Sequence, residues 1–241
     1  MQAASIRNWL KPLVFTPLHP QWLLSNSKKR TGTWIGQNAG GVILDIGCAD
    51  QWVNEYIPEN CQYISLDYPM TGGKMYGSRP ALFADAARLP LQDGVVDTIL
   101  MLEVLEHLRT PVCAIAEVAR VLKPGGVLLL SVPFLYPVHD APHDYQRPTC
   151  YGLLRDLERA GLIVEPPTPT LGSAETAALL CNLALGGMYS TALTKRHPAL
   201  LLLPLLSLMV PLINIGGRVL GRMLPSWPAL TAGYSVKAYK K

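Results

Sequence analysis

Runs of apolar residues punctuated by glycine and proline predict alternating strands and helices over the first 165 residues. Five runs are apolar and β-branched enough for buried strands, at 42–46, 62–67, 82–86, 95–102 and 127–132. Helical stretches are expected at 50–57, 111–122 and 149–160, the second ending at Lys123-Pro124-Gly125-Gly126. Alternating strands and helices at these intervals predict an α/β domain with a parallel sheet covered by helices on both faces.

A second pattern begins after residue 172. Residues 176–194 and 199–217 are uncharged, and Lys195-Arg196-His197-Pro198 separates them. Each run approaches the roughly 20 residues that span a bilayer. A spanning hairpin would carry the basic break across the membrane, against the positive-inside tendency. We therefore favour a monotopic helical insertion at 173–228, with a lid or dimer contact and a spanning hairpin as alternatives.

The N-terminal arm, residues 1–40, contains Pro12, Pro17 and Pro20, from which we expect no long helix. Its tryptophans, Trp9, Trp22 and Trp34, are spread among basic residues. Such an arm is either irregular structure packed on the main domain or an interfacial membrane contact. We assign 41–172 together with 229–241 to the main domain.

Charge along the chain is segregated. Residues 1–44 hold five Lys or Arg and no acid, residues 45–175 hold all 17 acids and nine bases, and residues 176–241 hold seven bases and no acid. Basic, apolar ends favour contact with an anionic membrane. Nucleic acid is disfavoured because the bases are not interleaved with aromatics or glycines. Five scattered cysteines without Cys-x-x-Cys spacing predict neither disulfides nor a zinc site, and hence reducing cytosol.

Polar residues stand at the carboxyl ends of several predicted strands. In a parallel sheet these ends all lie at the same edge. These positions are Asp45 with Gly47, Asp67, Asp85 and Glu103. Ligands of such sheets bind at this edge. Asp67, 22 residues after Asp45, is placed to accept hydrogen bonds from both hydroxyls of a ribose. The spacing predicts a nucleoside site.

These segments resemble the successive motifs of a known family. The motifs are Asp45-Ile46-Gly47-Cys48-Ala49, Asp67, Asp85-Ala86-Ala87-Arg88-Leu89-Pro90, Val96-Asp97, Glu103-Val104-Leu105-Glu106-His107 and Leu122-Lys123-Pro124-Gly125-Gly126. In this order they resemble class I S-adenosylmethionine-dependent methyltransferases, most closely the bacterial type 11 branch, over residues 40–165. The resemblance implies a Rossmann-like sheet of seven strands whose last strand, at 233–239, is antiparallel.

The resemblance also implies S-adenosyl-L-methionine as cofactor and a role for each matching residue. Asp67 would hold the ribose, Asp85 and Ala86 the adenine, and backbone at Gly47 and 101–103 the methionine moiety. The full set of predicted cofactor-binding residues is Asp45, Gly47, Ala49, Asp67, Asp85, Ala86, Met101 and Glu103. The family's glycine loop is Gly-x-Gly-x-Gly, whereas this chain has Ala49 and Gln51 at the later positions. Ala49 is a mild change if its φ is negative.

Residues 133–147, after the fifth strand, carry the densest set of polar groups. His139 and His143 suit a general base for methyl transfer to oxygen, with Asp140 or Asp144 orienting the imidazole. His107 is a second candidate base. The prolines between the histidines give no helical register for metal ligands, so we predict no metal. An ordered loop whose polar groups satisfy one another is the alternative.

Together these patterns predict a cytoplasmic methyltransferase peripheral or monotopic on the inner face of the cell membrane. Its acceptor would be lipid-linked, a glycolipid or otherwise amphiphilic. Two alternatives stay open: a catalytically degenerate scaffold at the membrane, and a soluble small-molecule methyltransferase with an apolar lid. We expect no nucleic acid partner, and a homodimer stays open.

Overall fold

The computed structural model describes residues 11–70 and 79–241. Within them the α-helices are α1 Trp22–Asn38, α2 Pro111–Val121, α3 Cys150–Arg159, α4 Ser173–Lys195 and α5 Leu203–Met223. The strands are β1 Val42–Ile46, β2 Gln62–Asp67, β3 Leu82–Phe83, β4 Val96–Leu102, β5 Leu122–Pro133, β6 Leu162–Val164, β7 Thr168–Pro169 and β8 Gly233–Lys240. Short 3₁₀ helices occupy Lys11–Leu13, Trp52–Tyr56, Leu105–His107 and Pro198–Leu202.

One mixed sheet contains all eight strands, in the order β3-β2-β1-β4-β5-β8-β6 with β7 beside β8. The pairs from β3 to β5 are parallel, and β8 is antiparallel to both β5 and β6. The predicted α/β class and antiparallel last strand are confirmed. The eighth strand, which the prediction lacked, is the two-residue β7.

Alternate residues of the central strands face two different cores. Ile43, Leu100 and Leu129 share a core with Ile35 of α1. Their strand neighbours face the other core together with residues of α2 and α3, such as Val118. A strand buried on both faces must be apolar at successive positions. This is why the sequences of these strands are continuous apolar runs.

Two local predictions are wrong. Residues 22–38 form a 17-residue helix, because every proline of the arm lies before residue 21. The helix expected at 50–57 is a five-residue 3₁₀ helix, Trp52–Tyr56. The helix expected at 111–122 does end before the glycine turn, at Val121, and the turn itself lies within β5, where the register jumps from Val96↔Leu122 to Thr98↔Val127. Residues 69–80, in which Gly72, Gly73 and Gly77 favour a loop over a helix, lie largely outside the described residues.

The chain divides into two compact units. One comprises residues 1–30, 135–137 and 169–232, and the other residues 31–134, 138–168 and 233–241. In the first unit α4 and α5 pack on each other, with the break between them at Arg196 in the left-handed region (φ 50°). Among the described residues, α4 alone is long and apolar enough to cross a membrane by length and composition.

Candidate active site

The turn after β1 forms a tight backbone loop at the carboxyl edge of the sheet. Gly47 has φ 75°, a conformation that glycine adopts without the steric cost of a Cβ. A Cβ at this position would also lie 2.4 Å from Cγ2 of Val104. The N–H groups of Gly47 and Cys48 both donate to the Leu66 carbonyl, at 2.8 and 3.1 Å. The sequence therefore needs glycine here both for conformation and for packing.

Three non-glycine residues near this edge have left-handed backbone. Ala49 has φ 43°, Gln51 φ 56° and Glu103 φ 55°. We expected Ala49 to be a mild change if its φ were negative. Its φ is positive, so alanine is strained at this position. Each such residue costs of order 1 kcal/mol, and strain of this kind concentrates at functional sites. The loop keeps the backbone shape of a glycine-rich turn although two of its glycines are replaced.

The Asp67 carboxylate is fixed by the backbone at the tip of β2. Its Oδ2 accepts the N–H of Ala49 at 3.1 Å, and its Oδ1 accepts the N–H of Tyr68 at 2.7 Å. The side chain is buried. These two bonds fix the orientation of the carboxylate. Asp67 thus joins the β1 loop to the β2 tip, where a nucleoside site was predicted.

Asp45 is enclosed beneath the loop. Its Oδ2 accepts a hydrogen bond from the Tyr63 hydroxyl at 2.6 Å, and the residue is 3% exposed. Burial raises the pKa of Asp45 to about 7, opposed by the Tyr63 hydrogen bond and reinforced by the charge of Asp67. Burial also raises the pKa of the Cys48 thiol, to about 12, with Asp45 and Asp67 adding to it.

The other predicted cofactor residues, Asp85, Ala86 and Met101, differ in their exposure to solvent. Asp85 is exposed, and its Oδ1 accepts the N–H of Ala87 at 2.9 Å in a local turn. Ala86 is buried beside it. The Met101 side chain is wholly buried in the core, so only its backbone faces the strand tip. Contact of these residues with a cofactor stays a prediction.

Two glutamates follow β4, the exposed Glu103 and the wholly buried Glu106. Glu103 Oε1 accepts a hydrogen bond from Ser131 Oγ at 2.7 Å. Desolvation of its carboxyl group raises the pKa of Glu103, and the Ser131 hydrogen bond opposes this shift. Glu106 is 0% exposed, and burial together with the charge of Glu103 raises its pKa well above the usual range. Neither Glu106 carboxylate oxygen has a hydrogen-bond partner among the described residues.

Glu106, His107 and His139 form what we call the Glu–His cluster. The two imidazole rings meet edge to face, with centroids 4.9 Å apart. Nε2 of His107 lies 3.6 Å, and Nε2 of His139 3.9 Å, from Oε1 of Glu106. Burial lowers the pKa of His107, opposed by a 2.6 Å contact between its Nδ1 and the carbonyl oxygen of His143. The fold thus brings two of the predicted bases together.

Asp144 anchors the loop that carries His139. Arg147 binds its two oxygens in a fork, at 2.5 and 2.6 Å, and these hydrogen bonds lower the pKa of Asp144 to about 2. Asp144 Oδ2 also accepts the backbone N–H of His139 at 2.9 Å and lies 3.3 Å from its Nδ1. The predicted His–Asp pairing therefore exists for His139.

His143 lies apart from this pairing. Its imidazole Nδ1 is 3.4 Å from the Tyr145 hydroxyl, and the residue reaches the cluster through its backbone carbonyl. Sequence reasoning missed the parts played by Glu106, Arg147, Ser131 and Tyr63. Only two carried a signal: Glu106 directly precedes His107, and Arg147 stands three residues after Asp144.

Comparison with known proteins identifies the central part of this unit. A sequence model of the family described as "Methyltransferase domain" matches residues 44–130, which run from β1 to β5. Those residues belong to the class I S-adenosylmethionine-dependent methyltransferases. The match includes the β1 loop, Asp67 and the Glu103–His107 segment, so the predicted family is confirmed on the residues from which it was predicted.

The curated relatives match over a similar stretch of this methyltransferase domain. A probable S-adenosylmethionine-dependent methyltransferase of Mycolicibacterium smegmatis is 34% identical over 100 residues, 39% of each chain. A tRNA (carboxymethyluridine(34)-5-O)-methyltransferase of Arabidopsis thaliana is 36% identical over 101 residues, covering 39% of this chain and 24% of its own. The chain thus spans about a quarter to two fifths of the length of these relatives.

Solved structures extend the likeness of fold to most of the chain. The [4+2]-cyclase SpnF superposes with a TM-score of 0.55 at 18% identity, covering 90% of this chain and 82% of its own. A methyltransferase from Archaeoglobus fulgidus superposes with a TM-score of 0.51 at 14% identity, covering 92% and 95%. At such identities the likeness is one of fold alone.

S-adenosylmethionine is the cofactor of this methyltransferase domain, and the residues at the sheet edge fit it. Gly47 has the left-handed backbone of a tight glycine turn, the kind of turn at which parallel sheets bind nucleotides. The Asp67 carboxylate is oriented at the neighbouring strand tip by two backbone N–H groups. When bound, the cofactor supplies an electrophilic methyl group on its sulfonium.

Proposed function

We propose that this protein transfers a methyl group from S-adenosylmethionine to a hydroxyl of an amphiphilic acceptor at the face of an anionic membrane. Lipid-linked sugars and glycolipids are acceptors of this kind. The proposed contact with a membrane is supported above all by one exposed apolar face on α5. The methyltransferase half is supported by the family and by the geometry around Gly47 and Asp67.

The exposed face of α5 is continuous along the helix. We call it the α5 strip, and its side chains are Leu205, Leu208, Leu212, Ile215, Val219 and Met223. Their spacing of three or four residues places them on one side. Leu201, Leu202, Leu224 and Trp227, at the two ends of the helix, are also exposed. A water-exposed apolar surface of this length is typical of membrane or partner contact.

The opposite face of α5 is occupied within its own unit. Asn214 is wholly buried, and its Nδ2 donates to the carbonyls of Pro17 and His19 at 2.7 and 3.0 Å. Asn182 of α4 donates to Asn214 Oδ1 at 2.9 Å. These polar contacts fix which side of α5 faces inward. The α5 strip therefore lies on the side of the helix that faces away from these contacts.

Charge favours a membrane over an apolar protein partner. The unit containing α5 has nine Lys or Arg against one acid, Glu175, a net charge of +8. That acid is already bound by Arg218, at 2.5 Å. Lys195, Arg196 and Arg222 are exposed near the ends of α4 and α5. Basic residues next to an exposed apolar helix face are typical of monotopic proteins on anionic leaflets.

On the acceptor side, methyl transfer to oxygen requires loss of the hydroxyl proton. The Glu–His cluster supports this step, because it follows the tips of β4 and β5, on the same edge of the parallel strands as Gly47 after β1 and Asp67 at the end of β2. His107 donates its Nδ1 proton to the His143 carbonyl, which leaves the Nε2 lone pair on the side of Glu106. His139 and His107 are the predicted proton acceptors, and Asp144 orients His139.

The cofactor half is tested by calorimetric titration of the purified protein with S-adenosylhomocysteine. We expect Asp67→Asn to weaken binding at least tenfold, because an amide cannot accept hydrogen bonds on both of its heavy atoms. The matched control is Asp93→Asn, whose carboxylate pairs with Arg120 on another part of the domain. Undiminished binding by Asp67→Asn, with native circular dichroism, would refute the ribose assignment.

The membrane half is tested by co-sedimentation with vesicles of neutral lipid, with and without anionic lipid. We expect the double substitution Leu208→Glu and Leu212→Glu to reduce binding at least tenfold, since each side chain loses about 1.5–3 kcal/mol of burial. The control is Tyr151→Glu, an equally exposed apolar residue of the other unit. Equal loss in the control, or no loss in the double variant, contradicts the proposal.

The acceptor is tested by incubating the protein with radioactive methyl donor and either a lipid extract or bulk tRNA. Label in the lipid fraction that disappears in Asp67→Asn supports the proposal. Label in tRNA alone would instead place this chain with the relatives that carry tRNA methyltransferase names. Cofactor binding without label in any fraction would favour the degenerate scaffold.

A further inference from the structure

The Glu–His cluster gathers three metal-ligating side chains around one point. One donor atom from each of Glu106, His107 and His139 lies within 4.8 Å of the others. Glu106 Oε1 is 3.6 Å from Nε2 of His107 and 3.9 Å from Nε2 of His139. Two ligands bound tetrahedrally at about 2.1 Å from Zn²⁺ are themselves about 3.4 Å apart. Small side-chain movements therefore bring these donors onto one ion.

The Glu106 carboxylate independently points to a ligand. It is 0% exposed, and neither of its oxygens has a hydrogen-bond partner among residues 11–70 and 79–241. Buried carboxylates are otherwise hydrogen-bonded, paired with a cation or coordinated to a metal. The nearest cationic or potentially cationic groups recorded for Glu106 are the two imidazoles, at distances too long for hydrogen bonds.

Hydrogen-bond partners at Nδ1 prepare both imidazoles to coordinate through Nε2. His107 Nδ1 lies 2.6 Å from the His143 carbonyl oxygen, so this nitrogen holds the proton and Nε2 holds the lone pair. His139 Nδ1 lies 3.3 Å from both Asp144 Oδ2 and Arg147 Nη2. With an ion on Nε2, His139 donates its Nδ1 proton to Asp144. Carbonyl and carboxylate partners of this kind accompany most metal-bound histidines.

We infer that Glu106, His107 and His139 bind a divalent transition-metal ion. Two imidazole nitrogens and one carboxylate oxygen suit Zn²⁺, Mn²⁺, Fe²⁺ or Co²⁺. Three protein ligands leave an open position, which a water or an acceptor hydroxyl can fill. With Nε2 of both imidazoles on the ion, neither His107 nor His139 can accept a proton, so in the metal-bound protein the ion would instead promote loss of the proton from a bound hydroxyl. Only this last step, coordination of an acceptor, depends on the proposed function.

The inference departs from the prediction of no metal for a physical reason. That prediction considered His139 and His143, which share a proline-broken loop without regular spacing. The fold instead brings His139 against Glu106 and His107, which lie more than 30 residues earlier in a 3₁₀ helix after β4. The backbone carbonyl of His143 accepts from His107 Nδ1, and no contact of the His143 imidazole with Glu106 or His139 is recorded among the described residues.

The test is metal titration of the untagged, chelator-treated full chain. Zn²⁺ binding is measured by calorimetry, and Co²⁺ binding by the visible absorption of the coordinated ion. The variants are Glu106→Gln and His139→Gln, with His143→Gln as the matched control from the same loop. Circular dichroism and melting of the metal-free proteins show whether each variant is folded. Binding of S-adenosylhomocysteine is measured separately.

We expect the wild type and His143→Gln to bind about one equivalent of ion and the other two variants to bind at least tenfold more weakly. Zn²⁺ should raise the melting temperature only where it binds. No stoichiometric binding to the wild type overturns the inference. So does unchanged binding in folded Glu106→Gln or His139→Gln, or equal loss in His143→Gln. If metal binds but S-adenosylhomocysteine does not, the proposed function fails while the metal site stands.

Discussion

Replacing Asp45 by asparagine tests the energetics of the carboxyl group buried beneath the β1 loop. The folded protein holds the pKa of Asp45 at about 7, against 3.8 for the ordinary side chain. Each pKa unit corresponds to about 1.4 kcal/mol, so ionising Asp45 in the folded state costs about 4 kcal/mol. The group is 3% exposed, so solvent screens this cost little. Asparagine keeps an oxygen to accept the Tyr63 hydroxyl but has no charge to bury.

The sign of the effect follows from proton binding. Between pH 3.8 and about 7 the folded state holds the Asp45 proton and the unfolded state does not. The free energy of unfolding of the wild type therefore falls as the pH rises through this window and levels off above it. Asp45→Asn lacks this fall. We expect the variant to gain about 3 kcal/mol on the wild type between pH 4.5 and pH 8.5.

Urea unfolding of the two proteins at half-unit pH intervals, without cofactor, measures this difference. Taking the difference cancels the titration of the other acids. Tyr63→Phe supplies an internal control, because the Tyr63 hydrogen bond lowers the pKa of Asp45. Its removal should extend the fall to higher pH. A gap between wild type and Asp45→Asn that is constant from pH 4.5 to pH 8.5 would refute the assigned burial cost.

Two further substitutions test backbone strain and the buried amide contacts. Ala49→Gly should raise the free energy of unfolding by up to about 1 kcal/mol, because φ 43° is strained for alanine. By contrast, Ala119→Gly within α2 should lower it by about 1 kcal/mol, and equal effects would contradict the strain. Asn214→Leu leaves the carbonyls of Pro17 and His19 without their donor and should cost about 2 kcal/mol by urea unfolding; an unchanged midpoint would exclude the contact.

Local patterns were sufficient to predict the sheet and its edge. The central strands are apolar at successive positions because both of their faces are buried, and this leaves a signal in the sequence itself. Asp67 and Gly47 were found because each follows such a strand directly. The N-terminal helix was missed because the prolines were taken to govern the whole arm, although residues 21–38 contain none.

The Glu–His cluster could not be predicted as a unit. Its members come from a turn after β4 and a loop after β5, and no periodicity relates His139 to Glu106. Their proximity depends on parallel pairing of β4 with β5, which aligns Leu102 with Ser131 and so brings the two following segments to one edge. The left-handed backbone at Ala49 was equally hidden, because alanine carries no preference for it.

The two halves of the proposed function, methyl transfer and membrane contact, rest on different units of the chain, and these units differ in charge. Sixteen of the 17 acids lie in the unit with the sheet, whereas the unit with α5 has a net charge of +8. An anionic surface therefore attracts the unit with α5 and repels the unit with the sheet. Added salt should weaken vesicle binding, by screening the bases, without changing affinity for S-adenosylhomocysteine. Because substitutions in the α5 strip and at Asp67 change different units, each half of the proposed function can fail while the other stands.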